Sequence, residues 1–91
     1  LVRAVAGLAP WLPFGEPVTH LGGTLVLLAH GDRDRVTSPA ETWDFAARAR
    51  EITSVTTVRV HGGDHAMLRG MSRWHRLAAE FARAALDPPA A

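Results

Sequence analysis

The chain has 91 residues and a mass of 9.8 kDa, which is enough for one small domain and nothing larger. It contains no cysteine, so disulfides, thiolate metal ligands and a cysteine nucleophile are all excluded. Its ten basic residues, all arginine, are spread among nine acids for a net charge of +1, so the pI of 9.3 marks no basic stripe for nucleic acid. No apolar run approaches the ~18 residues of a membrane-spanning helix.

Residues 1–9 are apolar apart from Arg3 and stop at Pro10, which predicts a strand leaving a sheet. They begin abruptly, with no polar lead-in or cap, as though the chain entered in the middle of an element. Residues 10–23 carry Pro10, Pro13, Pro17, Gly15, Gly22 and Gly23 and predict an irregular connection. Residues 24–30 hold the apolar run TLVLLA between Gly-Gly and His30-Gly31, the pattern of a parallel strand covered on both faces. Ser38-Pro39-Ala40-Glu41 combines a cap, a first-turn proline and a capping-box glutamate, so a helix is predicted over 39–50 with Trp43, Ala46, Ala47 and Arg50 along one side. Residues 55–61 alternate, Val58 and Val60 against Thr57, Arg59 and His61, and predict a half-buried strand near a sheet edge. Residues 72–86 place Trp74, Leu77, Ala78, Phe81 and Ala85 at helical spacing, and 87–91 read as a flexible tail.

Strands alternating with helices imply an α/β fold of three parallel strands and two helices joined by right-handed crossovers. So small a sheet leaves its faces partly uncovered and is incomplete as a stand-alone fold. In open α/β sheets functional groups gather beyond the carboxyl ends of the strands. Two such ends are rich in titratable side chains: His30-Gly31-Asp32-Arg33-Asp34-Arg35 and His61-Gly62-Gly63-Asp64-His65. A carboxylate on one loop and an imidazole on the next can pair, and the pair makes the imidazole a general base.

The segments TLVLLAHGDRDRVTSP and VTTVRVHGGDHAML, followed by a helix bearing Trp74 and Phe81, resemble the C-terminal third of an α/β-hydrolase. In that family a strand ends in Gly-x-x-Asp, and its aspartate orients a histidine that follows the last strand in a glycine-rich turn. The resemblance makes Asp34 that acid and His65 that histidine, in the family's order of acid before base. It implies the fold of the last three strands of such a sheet, with 1–86 as part of one domain. Residues 1–9 correspond to the sixth strand, and 10–23 replace the lid. It further implies cleavage of a carboxylic ester or related acyl bond on a small-molecule substrate, as in serine esterases, lipases and dienelactone hydrolases. No cofactor or metal, no nucleic-acid partner and a cytoplasmic location complete the expectation. Trp11 and Phe14 in the proline-rich connection, and Met67 after the histidine, are the candidates for contact with an apolar acyl group.

The chain departs from the family in lacking a Gly-x-Ser-x-Gly nucleophile motif and its oxyanion donors. That places them in a preceding N-terminal part of the domain, paired with residues 1–9. Ser38 reads as a helix cap, Ser54 has no glycine neighbour, and Ser72 follows the histidine with Trp74 where the motif needs glycine. Asp32, the rival acid, is read as bonding local backbone, Asp64 as a surface residue, and His30 as packing or bonding to backbone. Two other functions compete with the hydrolase. One is a non-enzymatic module that associates through an exposed strand edge. The other, a metal-dependent hydrolase using the cluster of His30, Asp32, Asp34, His61, Asp64 and His65, is weakened by Gly62-Gly63, which oppose a helix between the two histidines.

Overall fold

The computed structural model describes residues 4–86; the expected start of the first strand and the tail at 87–91 lie outside them. The fold is mixed α/β, built on a three-stranded parallel sheet in the order β1-β2-β3. The strands are β1 (Ala4–Leu8), β2 (Leu25–Gly31) and β3 (Val55–Val60), and Leu28 lies opposite both Gly7 and Thr57. The helices are α1 (Pro39–Ala49), α2 (His65–Gly70) and α3 (Ser72–Leu86). A single 3-10 turn, Thr19–Leu21, interrupts the connection expected to be irregular throughout.

The central strand is apolar along its length because both of its faces are covered. Side chains alternate across a strand, so Val26 and Leu28 point one way and Ala29 the other. Val26 and Leu28 meet Phe45, Ala46 and Ala49 of α1, with Leu21 and the partly buried Leu12, Val18 and Val55 beside them. Ala29 meets Leu68 of α2 and Ala9, flanked by Leu8, Val58, Val60, Met67 and Trp74. Thus α1 covers one face, and α2 and α3 cover the other. The α1 face carries an apolar hollow of about 370 Å³ toward β1, lined by Val5, Gly7, Leu12, Leu21 and Phe45 among others.

The start of α1 is as the sequence predicts: Ser38 caps it, its Oγ accepting from Glu41 N at 3.3 Å, and Pro39 opens it. Its buried face differs from the expected one. Thr42, Phe45, Ala46 and Ala49 are buried, whereas Ala47 and Arg50 are exposed. Trp43 is half-buried, with the Arg59 guanidinium 4.5 Å over its ring. The turn of the helix brings Thr42, not Trp43, against the end of β2.

Two details position the site. The chain leaves β1 through Ala9 at φ 49°, a left-handed backbone that costs an L-residue about 1–2 kcal/mol. Ala9 N donates to Ala29 O at 2.8 Å, and the Thr37 hydroxyl oxygen lies 3.3 Å from the Ala9 carbonyl, which sets β1 beside the loop after β2. At the other end of the site, Gly31 lies so close to the turn after β3 that a Cβ on it would overlap the Gly63 carbonyl.

Candidate active site

The loops after β2 and β3 are stitched together by backbone bonds. Asp32 N donates to Val60 O at 3.2 Å and Arg33 N to Gly63 O at 3.0 Å. This stitching places Asp34 beside the start of α2, where His65 is the first helical residue. Helix α2 lies in a stretch for which the sequence predicts no element. Asp64, expected to be a plain surface residue, is its N-cap and accepts from Met67 N at 2.8 Å. Six residues are too few for a period to show, and Gly62-Gly63 masked the cap.

His65 Nδ1 lies 3.0 Å from Asp34 Oδ2, within the hydrogen-bond reach expected of an acid–base pair. The Asp34 side chain is fully buried, whereas that of His65 is 27% exposed. Burial alone would push the Asp34 carboxyl up. Hydrogen bonds outweigh it, from Thr37 N, the His65 ring, Val36 N and the Thr37 hydroxyl, and hold the group well below the usual carboxylate range. The backbone N–H groups of Val36 and Thr37 each donate to Oδ1 at 2.8 Å, and the Thr37 hydroxyl donates to Oδ2 at 2.9 Å. An ionised carboxylate only accepts, so the proton of this pair sits on His65 Nδ1. Nε2 has no hydrogen-bond partner among the described residues. His65 lines an open hollow of about 490 Å³ together with Arg33, Arg35, Val36 and Gly62.

His30 packs as expected and lies 3.3 Å from the Thr37 carbonyl, but it also does more. It is fully buried, and both ring nitrogens bond to side chains: Nε2 to Asp34 Oδ2 at 3.0 Å, and Nδ1 to Thr42 Oγ1 at 2.7 Å. Strand alternation places His30 on the α1 face with Val26 and Leu28, which is how it reaches Thr42. Thr37 and Thr42 carried no signal in the sequence beyond their closeness to Asp34 and to the helix start.

Asp32 bonds backbone, but that of the neighbouring loop 30 residues on, not the local backbone expected. It accepts from Gly62 N at 2.7 Å, and that bond holds its exposed carboxyl below its ordinary value. Gly62 adopts φ 73°, which glycine tolerates and which turns its N–H toward Asp32. His61 Nδ1 stands 3.4 Å from Asp32 with its side chain 91% exposed, a loose surface contact. Trp11 and Phe14 are 73% and 66% exposed, and neither lines the hollow at His65. Met67 packs inward against the cluster of Ala9, Ala29 and Leu68. No serine hydroxyl bonds His65 among the described residues: Ser38 is committed to its cap, while Ser54 and Ser72 are exposed. The described residues hold no group of three or more His, Asp or Glu side chains placed to bind a metal ion, and none of their helices is long and apolar enough to cross a membrane.

No model of a known protein family, no curated protein and no solved structure matches this chain.

Proposed function

We propose that this chain supplies the acid and the base of a Ser-His-Asp triad in a serine-type α/β-hydrolase that cleaves a carboxylic ester or a related acyl bond. The observation that carries the reading is the Asp34–His65 bond of 3.0 Å across 31 residues, made at the carboxyl ends of two adjacent parallel strands. In this role His65 Nε2 takes the proton of a serine hydroxyl as its oxygen attacks the acyl carbon, then returns it to the leaving group. Asp34 holds the ring in the Nδ1–H tautomer and stabilises the imidazolium formed in between. The reading requires a serine and oxyanion donors from outside these 91 residues. The scheme uses no cofactor.

Two assays test it. On the purified chain, a fluorophosphonate probe labels no serine, and hydrolysis of an activated phenyl ester does not exceed the slow rate of its exposed imidazoles. In the native polypeptide that carries these residues, the probe labels a serine, and Asp34→Asn lowers turnover on the order of 10⁴-fold by freeing the wrong tautomer. Labelling of a serine within this chain, or unchanged turnover of the native polypeptide in His65→Ala, overturns the reading.

The outer edge of β1 favours a second reading, a non-enzymatic module that docks by strand addition. β1 pairs with β2 alone among the described residues, and Val5 on it is 38% exposed beside the apolar hollow.

A further inference from the structure

Two imidazoles approach the same oxygen of Asp34, and the triad uses one of them. His30 Nε2 and His65 Nδ1 both lie 3.0 Å from Oδ2, but His30 reaches it from inside the protein. Its ring is fully buried and is flanked by Trp43, edge-on at 6.4 Å between centroids. Asp34 is an acceptor, so His30 Nε2 carries a hydrogen. Its Nδ1 then accepts from the Thr42 hydroxyl at 2.7 Å, which satisfies both nitrogens in the neutral tautomer.

We propose that His30 is a positioning residue for Asp34: its Nε2–H aims Oδ2 at His65, and the Thr42 hydroxyl fixes the tautomer that makes this possible. The proposal rests on the acid–base reading of Asp34 and His65. The terminal torsion of an aspartate is broad, so the direction of its oxygens comes from their partners. Oδ1 is set by two backbone N–H groups, but apart from His65 the remaining donors to Oδ2 are the Thr37 hydroxyl and His30. The Thr37 hydroxyl has a single hydrogen and a second acceptor, Ala9 O, at 3.3 Å. For His30 Nε2 the carboxylate is the nearest of three acceptors, ahead of the Thr37 hydroxyl at 3.2 Å and the Thr37 carbonyl at 3.3 Å. A neutral donor also orients the carboxylate without cancelling its charge, as a lysine or arginine there would. The full charge stays available to the imidazolium that forms at His65.

Nitrogen-15 spectra of the labelled 91-residue chain read both tautomers directly. In the parent chain, His65 shows the Nδ1–H form and His30 the Nε2–H form. His30→Leu keeps the volume and removes the donor, and the Nδ1–H signature of His65 is lost. His30→Gln restores an N–H near the Nε2 position, and the signature returns. A purely packing role for His30 predicts no such loss and rescue. A His30→Leu chain with dispersed amide signals and an unchanged His65 tautomer overturns the proposal. If His30→Leu does not fold, Thr42→Val decides: His30 leaves the Nε2–H form and the His65 signature weakens, whereas two unchanged tautomers overturn the proposal. A parent chain without the Nδ1–H form at His65 overturns the acid–base reading and this proposal together; the other outcomes leave that reading standing.

Discussion

At the scale of the residue, Asp34 concentrates the chemistry. Its carboxylate is buried and held below the ordinary range, so its ionised form is bound more tightly in the folded chain than in the unfolded one. A depressed acid stabilises the fold above its unfolded value of 3.8, and that stability is lost as pH falls through the folded value. The stability difference between the parent and Asp34→Asn, read by urea denaturation, is therefore expected to shrink steadily as pH falls below 3.8. A difference that does not vary between pH 2 and 7 would show that the carboxylate charge is not what the loop binds. Asp34→Ala is expected to cost about 3 kcal/mol, because it strands the buried donor on His30 and the partly buried N–H groups of Val36 and Thr37. Both members of the pair were legible in the sequence, since Asp34 and His65 each follow a glycine by two or three residues just beyond a strand end. The partners of Asp34 were not. A threonine hydroxyl or a buried histidine acquires its role from the face of the strand or helix it occupies, which residue type does not encode.

At the scale of the element, the contact between Gly31 and Gly63 holds the acid loop against the base. Gly31→Ala would drive a methyl group into the Gly63 carbonyl and push the turn at 61–64 away from β2. The expected results are a stability loss of about 2 kcal/mol or more, read as a lower urea midpoint, and loss of the Nδ1–H signature of His65. A folded Gly31→Ala chain with that signature intact would show that the loops can separate without disturbing the pair. The same scale shows where sequence patterning works. The three strands and the start of α1 follow from apolar runs, prolines and a cap, and α3 matches its predicted bounds. The phase of α1 did not follow: Trp43 is the largest side chain of the helix, yet the smaller Thr42 fits against His30. Helix α2 was hidden because its evidence is a single cap at Asp64.

At the scale of the whole molecule, coverage of the sheet is uneven. Val26, Leu27, Leu28 and Ala29 are at most 3% exposed, whereas Val5 on β1 is 38% exposed and both outer strands have one neighbour each among the described residues. Such an edge recruits further strands. Light scattering on the purified chain is expected to show association that rises with concentration and is reduced by Val5→Lys, which puts a charge on the edge. A monomer at every concentration in the parent would argue against strand addition at β1. The α/β class was readable from the order of elements alone, because alternation restricts the ways a short chain can pair its strands in parallel.

The partners of Asp34 differ in the length of chain that must close to reach them. His30, Val36 and Thr37 lie two to four residues away, and His65 lies 31 away. Closing the longer loop costs about 2 kcal/mol more in chain entropy. During folding, therefore, the holder of the carboxylate is a local structure that can form early, while the base arrives late, when β3 docks on β2. Slow steps in forming the Asp34–His65 bond belong to β3 and the turn that follows it, and a chain stalled before that docking would already hold the Asp34 carboxylate in place.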